Sequence, residues 1–148
     1  MTLADWDKQN RWLKKEPSSP EEIAGLIVKV EKNLKTAANI EIDEDWRLSI
    51  AFAAAFQCAT IALRAEGYRL PVEPGHHEKT INSLKHTVDP RSELISKLQS
   101  FRKKRSIIMY DSVGTASGDE VAQVLGYAEE LYAELKKWLT KKHPELLK

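Results

Sequence analysis

The stretch Arg47–Arg64 reads RLSIAFAAAFQCATIALR, and the predicted architecture is built around it. Between Ile50 and Leu63 it is apolar on nearly all sides, and only Gln57 and Thr60 interrupt it. An apolar run of this length, with an arginine at each end, is too short for a comfortable membrane span. It is typical instead of a helix that other helices surround, and its alanines allow those neighbours to approach closely. The sequence therefore predicts a central helix inside a helical bundle.

Helices are also predicted on both sides of this central segment. Apolar residues recur at helical spacing in every long segment, and no convincing strand is seen. Ser19 followed by Pro20 is typical of a helix start, and Gly67 is typical of a helix end. Ser117 and Glu120 have the spacing of a capping box. These signals divide the chain into helices separated by short breaks.

The predicted fold is all-α, an up-and-down four-helix bundle with an additional short helix and an N-terminal arm. We expect a single domain over residues 1–148, with the arm or a short helix at 1–17 and the bundle at 20–142. Helix breaks are expected near 17–20, 67–75 and 111–117. The predicted elements are a short helix through Trp6 and Trp12, a helix that follows Pro20, the central helix from about Asp43 to Gly67, a shorter helix over 76–88, a helix from Asp89 and Pro90 to about Tyr110, and a final helix to about 142.

Composition excludes several classes of protein. The 148 residues include 23 basic and 22 acidic side chains, for a net charge of +1, which excludes a polycation that binds nucleic acid through bulk charge. The single cysteine, Cys58, cannot form an intrachain disulfide, and no Cys/His spacing indicates zinc. The first residues lack the apolar segment of a secretory signal. We therefore expect a cytoplasmic protein with no cofactor, no bound metal and no membrane contact.

The most unusual feature is a block of four consecutive bases, Arg102–Arg105. On a helical wheel with 100° per residue, Arg105 falls in the centre of an apolar stripe and Arg102 falls at its edge. The stripe consists of Leu94, Leu98, Phe101 and Ile108. A guanidinium on an inward-facing stripe is costly unless it is paired or lines a cleft. A salt bridge to Asp43 or Asp45, or a buried stem with its head in water, would also explain this position.

The same block lies within the sequence segment LQSFRKKRSIIMYD, residues 98–111. This segment resembles the third-helix signature of HEPN domains, which are prokaryotic helical bundles often encoded beside minimal nucleotidyltransferases. The turn ALRAEGYR over 62–69, followed by GHHEKTI over 75–81, is similar to the family's turn after its second helix. The resemblance covers roughly residues 20–142 and implies the family's bundle fold.

The resemblance also implies a candidate site. In the ribonuclease members of the family, an arginine is followed by four to six spacer residues and then a histidine. Arg105 matches the arginine, but Tyr110 stands where the histidine would be. Histidine titrates near neutral pH and can relay a proton from a ribose hydroxyl, whereas the pKa of tyrosine, about 10, makes it a poor base. Arg105 and Tyr110 point about 140° apart on an ideal helix, so they converge only if the helix ends early or a second copy of the chain supplies one of them.

These observations lead to one functional hypothesis and one alternative. The hypothesis is an HEPN-like homodimer that binds RNA or a nucleotide phosphate, with a degenerate metal-independent endoribonuclease of a toxin–antitoxin system as its catalytic form. Arg105 and Tyr110 are the candidate catalytic residues. The candidate phosphate or nucleic-acid ligands are Arg102, Lys104, Arg105 and Asp111. The alternative is a non-catalytic module that docks a partner protein such as a nucleotidyltransferase.

The other residues with functional potential have simpler explanations. The spacing of His76, His77 and His86 does not fit a helical metal site, and polar residues at a helix start explain the first two. Trp46 and Trp138 lie beside basic residues and could stack on bases, although core packing is the more common role for large aromatic side chains. No glycine-rich nucleotide loop is present in the sequence.

Overall fold

The computed structural model describes residues 2–110 and 114–148, and these are almost entirely helical. Four long helices form the body of the protein, and two short helices and a small antiparallel sheet flank them. In chain order the elements are α1 (Leu3–Asn10), β1 (Lys14–Lys15), α2 (Pro20–Ala37), α3 (Glu44–Ala65), β2 (Tyr68–Arg69), α4 (His76–Asn82), a 3-10 turn (Ser83–His86), α5 (Ser92–Tyr110), α6 (Gly118–Lys142) and a second 3-10 turn (Pro144–Leu147). The prediction of an all-α protein is confirmed.

Helix α3 is the centre of the core, as the sequence predicts. It packs against α2 and α6 along most of its length, and against α4 and α5 on its remaining side. Its fully buried side chains include Leu48, Cys58 and Ile61. By length and composition α3 could cross a membrane, but 72% of its most apolar window is buried inside the protein. That burial is the pattern of a core helix.

The local helix signals in the sequence match the structure. Ser19 caps α2 by accepting a hydrogen bond from the backbone N–H of Glu22, and Pro20 is the first helical residue. Ser117 and Glu120 form the capping box that starts α6. Gly67 follows α3 with a positive φ of 83°, a backbone conformation that few residues other than glycine adopt. Short-range capping and backbone preferences therefore fix these boundaries.

Four details differ from the prediction. The helix predicted over 76–88 is divided into α4, which ends at Asn82, and the 3-10 turn Ser83–His86. The chain contains a strand pair, because Lys14 and Lys15 pair with Arg69 and Tyr68 in an antiparallel sheet of two residues per strand. Helix α1 ends at Asn10, so Trp12 lies outside it. Helix α5 begins at Ser92 rather than at Asp89. Strands this short carry no alternating pattern, which is why the sequence did not indicate them.

The buried Arg64 joins the end of α3 to the segment before α2. Only 7% of this residue is exposed. Its guanidinium donates to both carboxylate oxygens of Glu22, at 2.6 and 3.0 Å, and to the backbone carbonyls of Glu16, Pro17 and Tyr68. These bonds lower the pKa of Glu22 and raise that of Arg64. All five guanidinium donors are therefore satisfied, as burial of such a group requires.

We expect Arg64→Ala to lower the free energy of unfolding by about 3 kcal/mol, because it leaves Glu22 and three carbonyls without their donor. Arg91→Ala is the matched control, since Arg91 makes a similar two-pronged bond to Glu130 but half of its side chain is exposed. The decrease in the free energy of unfolding should be much smaller in Arg91→Ala. Urea unfolding of both variants measures the difference, and equal losses would contradict this role for Arg64.

Candidate functional site

The structure places Arg105 on the side of α5 that faces α3, half-buried, as the helical wheel predicts. Its guanidinium carbon lies 5.8 Å from the ring centroid of Phe52, within reach of a cation–π interaction. Its Nε is buried and has no hydrogen-bond partner among the described residues. Within the described residues, no carboxylate lies within 4.0 Å of the guanidinium. The ion pair with Asp43 or Asp45, considered as the structural explanation, is not formed.

Asp45 has a different function from pairing with Arg105. Its carboxylate accepts hydrogen bonds from the backbone N–H groups of Gly114, at 2.6 Å, and Ala116, at 3.0 Å. These bonds, with the Ala116 bond the stronger influence, lower the pKa of Asp45 below its ordinary value. Asp45 therefore fixes the chain that leads into α6 to the first turn of α3.

Arg102 lies one turn before Arg105 and is linked to the neighbouring helix α4. Its Nε donates to Gln99 Oε1 at 2.8 Å. The amide of Gln99 donates in turn to the backbone carbonyl of Glu78 and to Asn82 Oδ1, both on α4. Gln99 thus fixes the Nε end of the Arg102 guanidinium and joins α5 to α4. Within the described residues, no carboxylate pairs with Arg102 either.

His77, at the start of α4, completes this cluster. Its ring meets the ring of Phe56 edge to face, with centroids 4.7 Å apart, and Phe56 stacks with Phe52 beneath Arg105. Partial burial lowers the pKa of His77 below the usual 6.5, and the neighbouring His76 lowers it further. The positive charges of Arg105 and Arg102 act in the same direction. The lowered pKa favours the neutral form of the His77 imidazole at pH 7.

Sequence reasoning gave His77 no part in the site. The histidine sought was one that follows Arg105 along the same helix, whereas His77 precedes it by 28 positions and lies on another helix. The turn Gly75–His77 was the available signal, because the resemblance to HEPN domains drew attention to it. Its proximity to the arginines arises only when α4 and α5 pack together.

Among the described residues, the other two predicted site residues, Lys104 and Tyr110, have different surroundings from Arg105. The Lys104 ammonium lies 3.4 Å from Glu120 Oε2, so it connects α5 to α6. Tyr110 is 81% exposed at the last position of α5. Since α5 stays helical through Tyr110, an early helix end does not bring Tyr110 to Arg105. Asp111 lies outside the described residues.

The cluster of Arg102, Arg105 and His77 combines two permanent positive charges with a neutral base. Guanidinium groups without carboxylate partners suit a phosphate, which accepts several charge-assisted hydrogen bonds. A neutral imidazole beside them can accept a proton from a hydroxyl group. Among the described residues, no group of three or more Asp, Glu, His and Cys side chains is arranged to hold a metal ion.

We expect NMR titration to give His77 a pKa below 6.5. Arg105→Ala should raise this pKa, because it removes one of the positive charges that oppose protonation. Lys103→Ala is the matched control, since it removes the same charge from an exposed position on the same helix. An unchanged His77 titration in Arg105→Ala would show that the two groups do not share a site.

Comparisons with known proteins do not assign the chain to a family. No family model and no curated protein sequence matches it, and no solved structure matches its fold.

Proposed function

We propose that this protein is an HEPN-like helical bundle that binds the phosphate of RNA or of a nucleotide through Arg105 and Arg102. The observation that carries the proposal is the state of Arg105, a half-buried guanidinium whose buried Nε has no partner among the described residues. An unsatisfied buried donor with a positive charge costs folding free energy. A bound phosphate would supply the missing acceptor and the opposite charge.

The contrast with Arg64 and Arg91 supports the proposal. Arg64 and Arg91 each bind a carboxylate with two hydrogen bonds, at 2.6–3.0 Å. Arg102 and Arg105 lie one helical turn apart with no such partner among the described residues. The network through Gln99 holds Arg102 in place, and the Phe52 ring lies beneath Arg105. Two prepositioned and unneutralised guanidinium groups are what a phosphate site requires.

A second candidate function is metal-independent cleavage of RNA, and the lowered pKa of His77 favours it. In this reaction the His77 imidazole takes the proton of a ribose 2′-hydroxyl, and the 2′-oxygen attacks the phosphorus. The bond to the 5′-oxygen breaks, and that oxygen takes a proton from water, which leaves a 2′,3′-cyclic phosphate. Arg105 and Arg102 would stabilise the charge that develops on the phosphate. His77 here takes the role of the motif histidine, at whose position Tyr110 stands.

Tyr110 has two possible roles under these proposals. It contributes to the Arg105 site only in a homodimer, where a second copy brings it across the interface. It also shares the last turn of α5 with two exposed apolar side chains, Ile107 and Met109, which favours the alternative of a docking surface for a partner protein such as a nucleotidyltransferase. In that arrangement the chain would serve as the binding half of a toxin–antitoxin pair.

We expect Arg105→Ala to weaken binding of a short, fluorescein-labelled single-stranded RNA by about tenfold or more, because charge-assisted bonds to phosphate are lost. Arg105→Lys should have an intermediate effect, since it keeps the charge without the planar fork. Lys103→Ala, the exposed control, should have a much smaller effect. Fluorescence anisotropy at several salt concentrations measures all four proteins, and wild-type affinity should fall as salt rises.

Thermal unfolding of the same proteins separates binding from folding. Arg105→Ala should melt within a few degrees of the wild type, because the wild-type side chain has no carboxylate partner in the part of the chain that the structure describes. A large loss of stability in this variant, or a wild-type protein that does not bind RNA at low salt, would contradict the proposed function.

The cleavage reaction has its own test. We expect the rate on the same RNA, in the presence of EDTA, to rise with pH through the pKa of His77 and then level off, because only the neutral imidazole accepts a proton. His77→Ala should abolish cleavage while RNA binding remains. Cleavage that survives in His77→Ala, or no cleavage by the wild type at any pH, would exclude His77 as a catalytic base.

A further inference from the structure

A cleft of about 230 Å³ lies between the first turns of α3 and the last turn of α5. It is smaller than the roughly 300–1,000 Å³ of pockets that hold drug-sized ligands, so it suits a single planar ring system. One wall is acidic and aromatic, and the opposite wall is aliphatic. The lining residues are Asp43, Asp45, Trp46, Ser49, Ile108 and Met109.

Polar atoms without partners collect at this junction of α3 and α5. Ser49, on the cleft wall, is only 8% exposed, and its Oγ has no hydrogen-bond partner among the described residues. Two other buried atoms also have no hydrogen-bond partner among the described residues. They are Arg105 Nε, one turn from Ile108, and Thr115 Oγ1, between the two residues whose backbone N–H groups bind Asp45. Buried polar groups in proteins are normally satisfied, so the unpartnered Ser49 hydroxyl on the cleft wall indicates that a polar ligand completes the site.

The walls of the cleft match the two faces and the edge of a nucleobase. Trp46 is 60% exposed, which is unusual for tryptophan and leaves its ring available for stacking. Ile108 and Met109 supply the aliphatic surface opposite. At the edge, the Asp43 carboxylate only accepts hydrogen bonds, whereas the Ser49 hydroxyl both donates and accepts. Adenine and cytosine present a matching pair, an amino donor beside a ring-nitrogen acceptor.

The cleft adjoins the phosphate site along both helices. Phe52, beneath Arg105, follows Ser49 by three residues on α3, and Ile108 follows Arg105 by three residues on α5. Three residues advance a helix by about 4.5 Å. We propose that this cleft binds the base of the nucleotide whose phosphate is held by Arg105 and Arg102, with preference for bases that carry an amino group beside a ring nitrogen. This inference rests on the proposed function.

The test compares three small ligands, namely 5′-AMP, 5′-UMP and ribose 5-phosphate, by isothermal titration calorimetry. Ribose 5-phosphate shares the sugar and phosphate but has no base. The wild type should bind 5′-AMP at least about fivefold more tightly than ribose 5-phosphate, with 5′-UMP between them. Trp46→Ala should bind 5′-AMP no more tightly than ribose 5-phosphate, and its affinity for ribose 5-phosphate should equal that of the wild type. Ser49→Ala should reduce the preference for 5′-AMP over 5′-UMP.

Trp12→Ala is the matched control, because Trp12 is also partly exposed but lies against Lys79, away from the cleft. It should retain the wild-type preference. One outcome would overturn the base site alone. In that outcome the wild type binds 5′-AMP and ribose 5-phosphate with equal affinity, and Arg105→Ala loses both, so that the phosphate site is supported without a base site. If the wild type binds none of the three ligands, or Arg105→Ala binds them as the wild type does, the phosphate site fails and the base site with it.

Discussion

The all-round apolar surface of α3 is the constraint on which the rest of the structure depends. A helix with no polar face must be covered on every side, and here α2, α6, α5 and α4 cover it. Helix α1 adds Leu3 and Trp6 against Leu63 near its C-terminal end. The one strongly polar group buried at that end, Arg64, is fully satisfied by hydrogen bonds. Coverage of α3 therefore determines where every other helix lies.

Helix α5 covers α3 in two different ways along its length. Its first half buries leucines and Phe101 in the core. Its second half presents Arg105 to the same neighbour, over the Phe52 ring, and holds Arg102 one turn earlier through Gln99. Apolar side chains in those positions would pack more favourably, since a half-buried guanidinium without a partner is costly. Natural proteins depart from the best-packed sequence mainly at functional sites, and this departure is the physical reason to place the site here.

The sequence predicts the features that depend on local interactions, and it misses those that depend on tertiary contacts. The Ser19 cap and the core position of α3 follow from neighbouring residues and periodicity, and so does the inward position of Arg105. The partners of Arg64 and the approach of His77 to α5 involve residues far apart in the chain, and no local spacing encodes them. The sequence analysis favoured a core position for Trp46, because large aromatic side chains are more often buried, and the structure corrects this, since Trp46 is 60% exposed.

The central claim is that Arg105 and Arg102 bind phosphate, whereas Arg64 and Arg91 do not. NMR detection of arginine Nε–Hε groups during titration with inorganic phosphate tests it most directly. The resonances of Arg105 and Arg102 should shift together and saturate with one affinity, while those of Arg64 and Arg91 stay unchanged because carboxylates already occupy them. Unchanged resonances of Arg105 and Arg102, or equal and unsaturated shifts of all four arginines, would contradict the account.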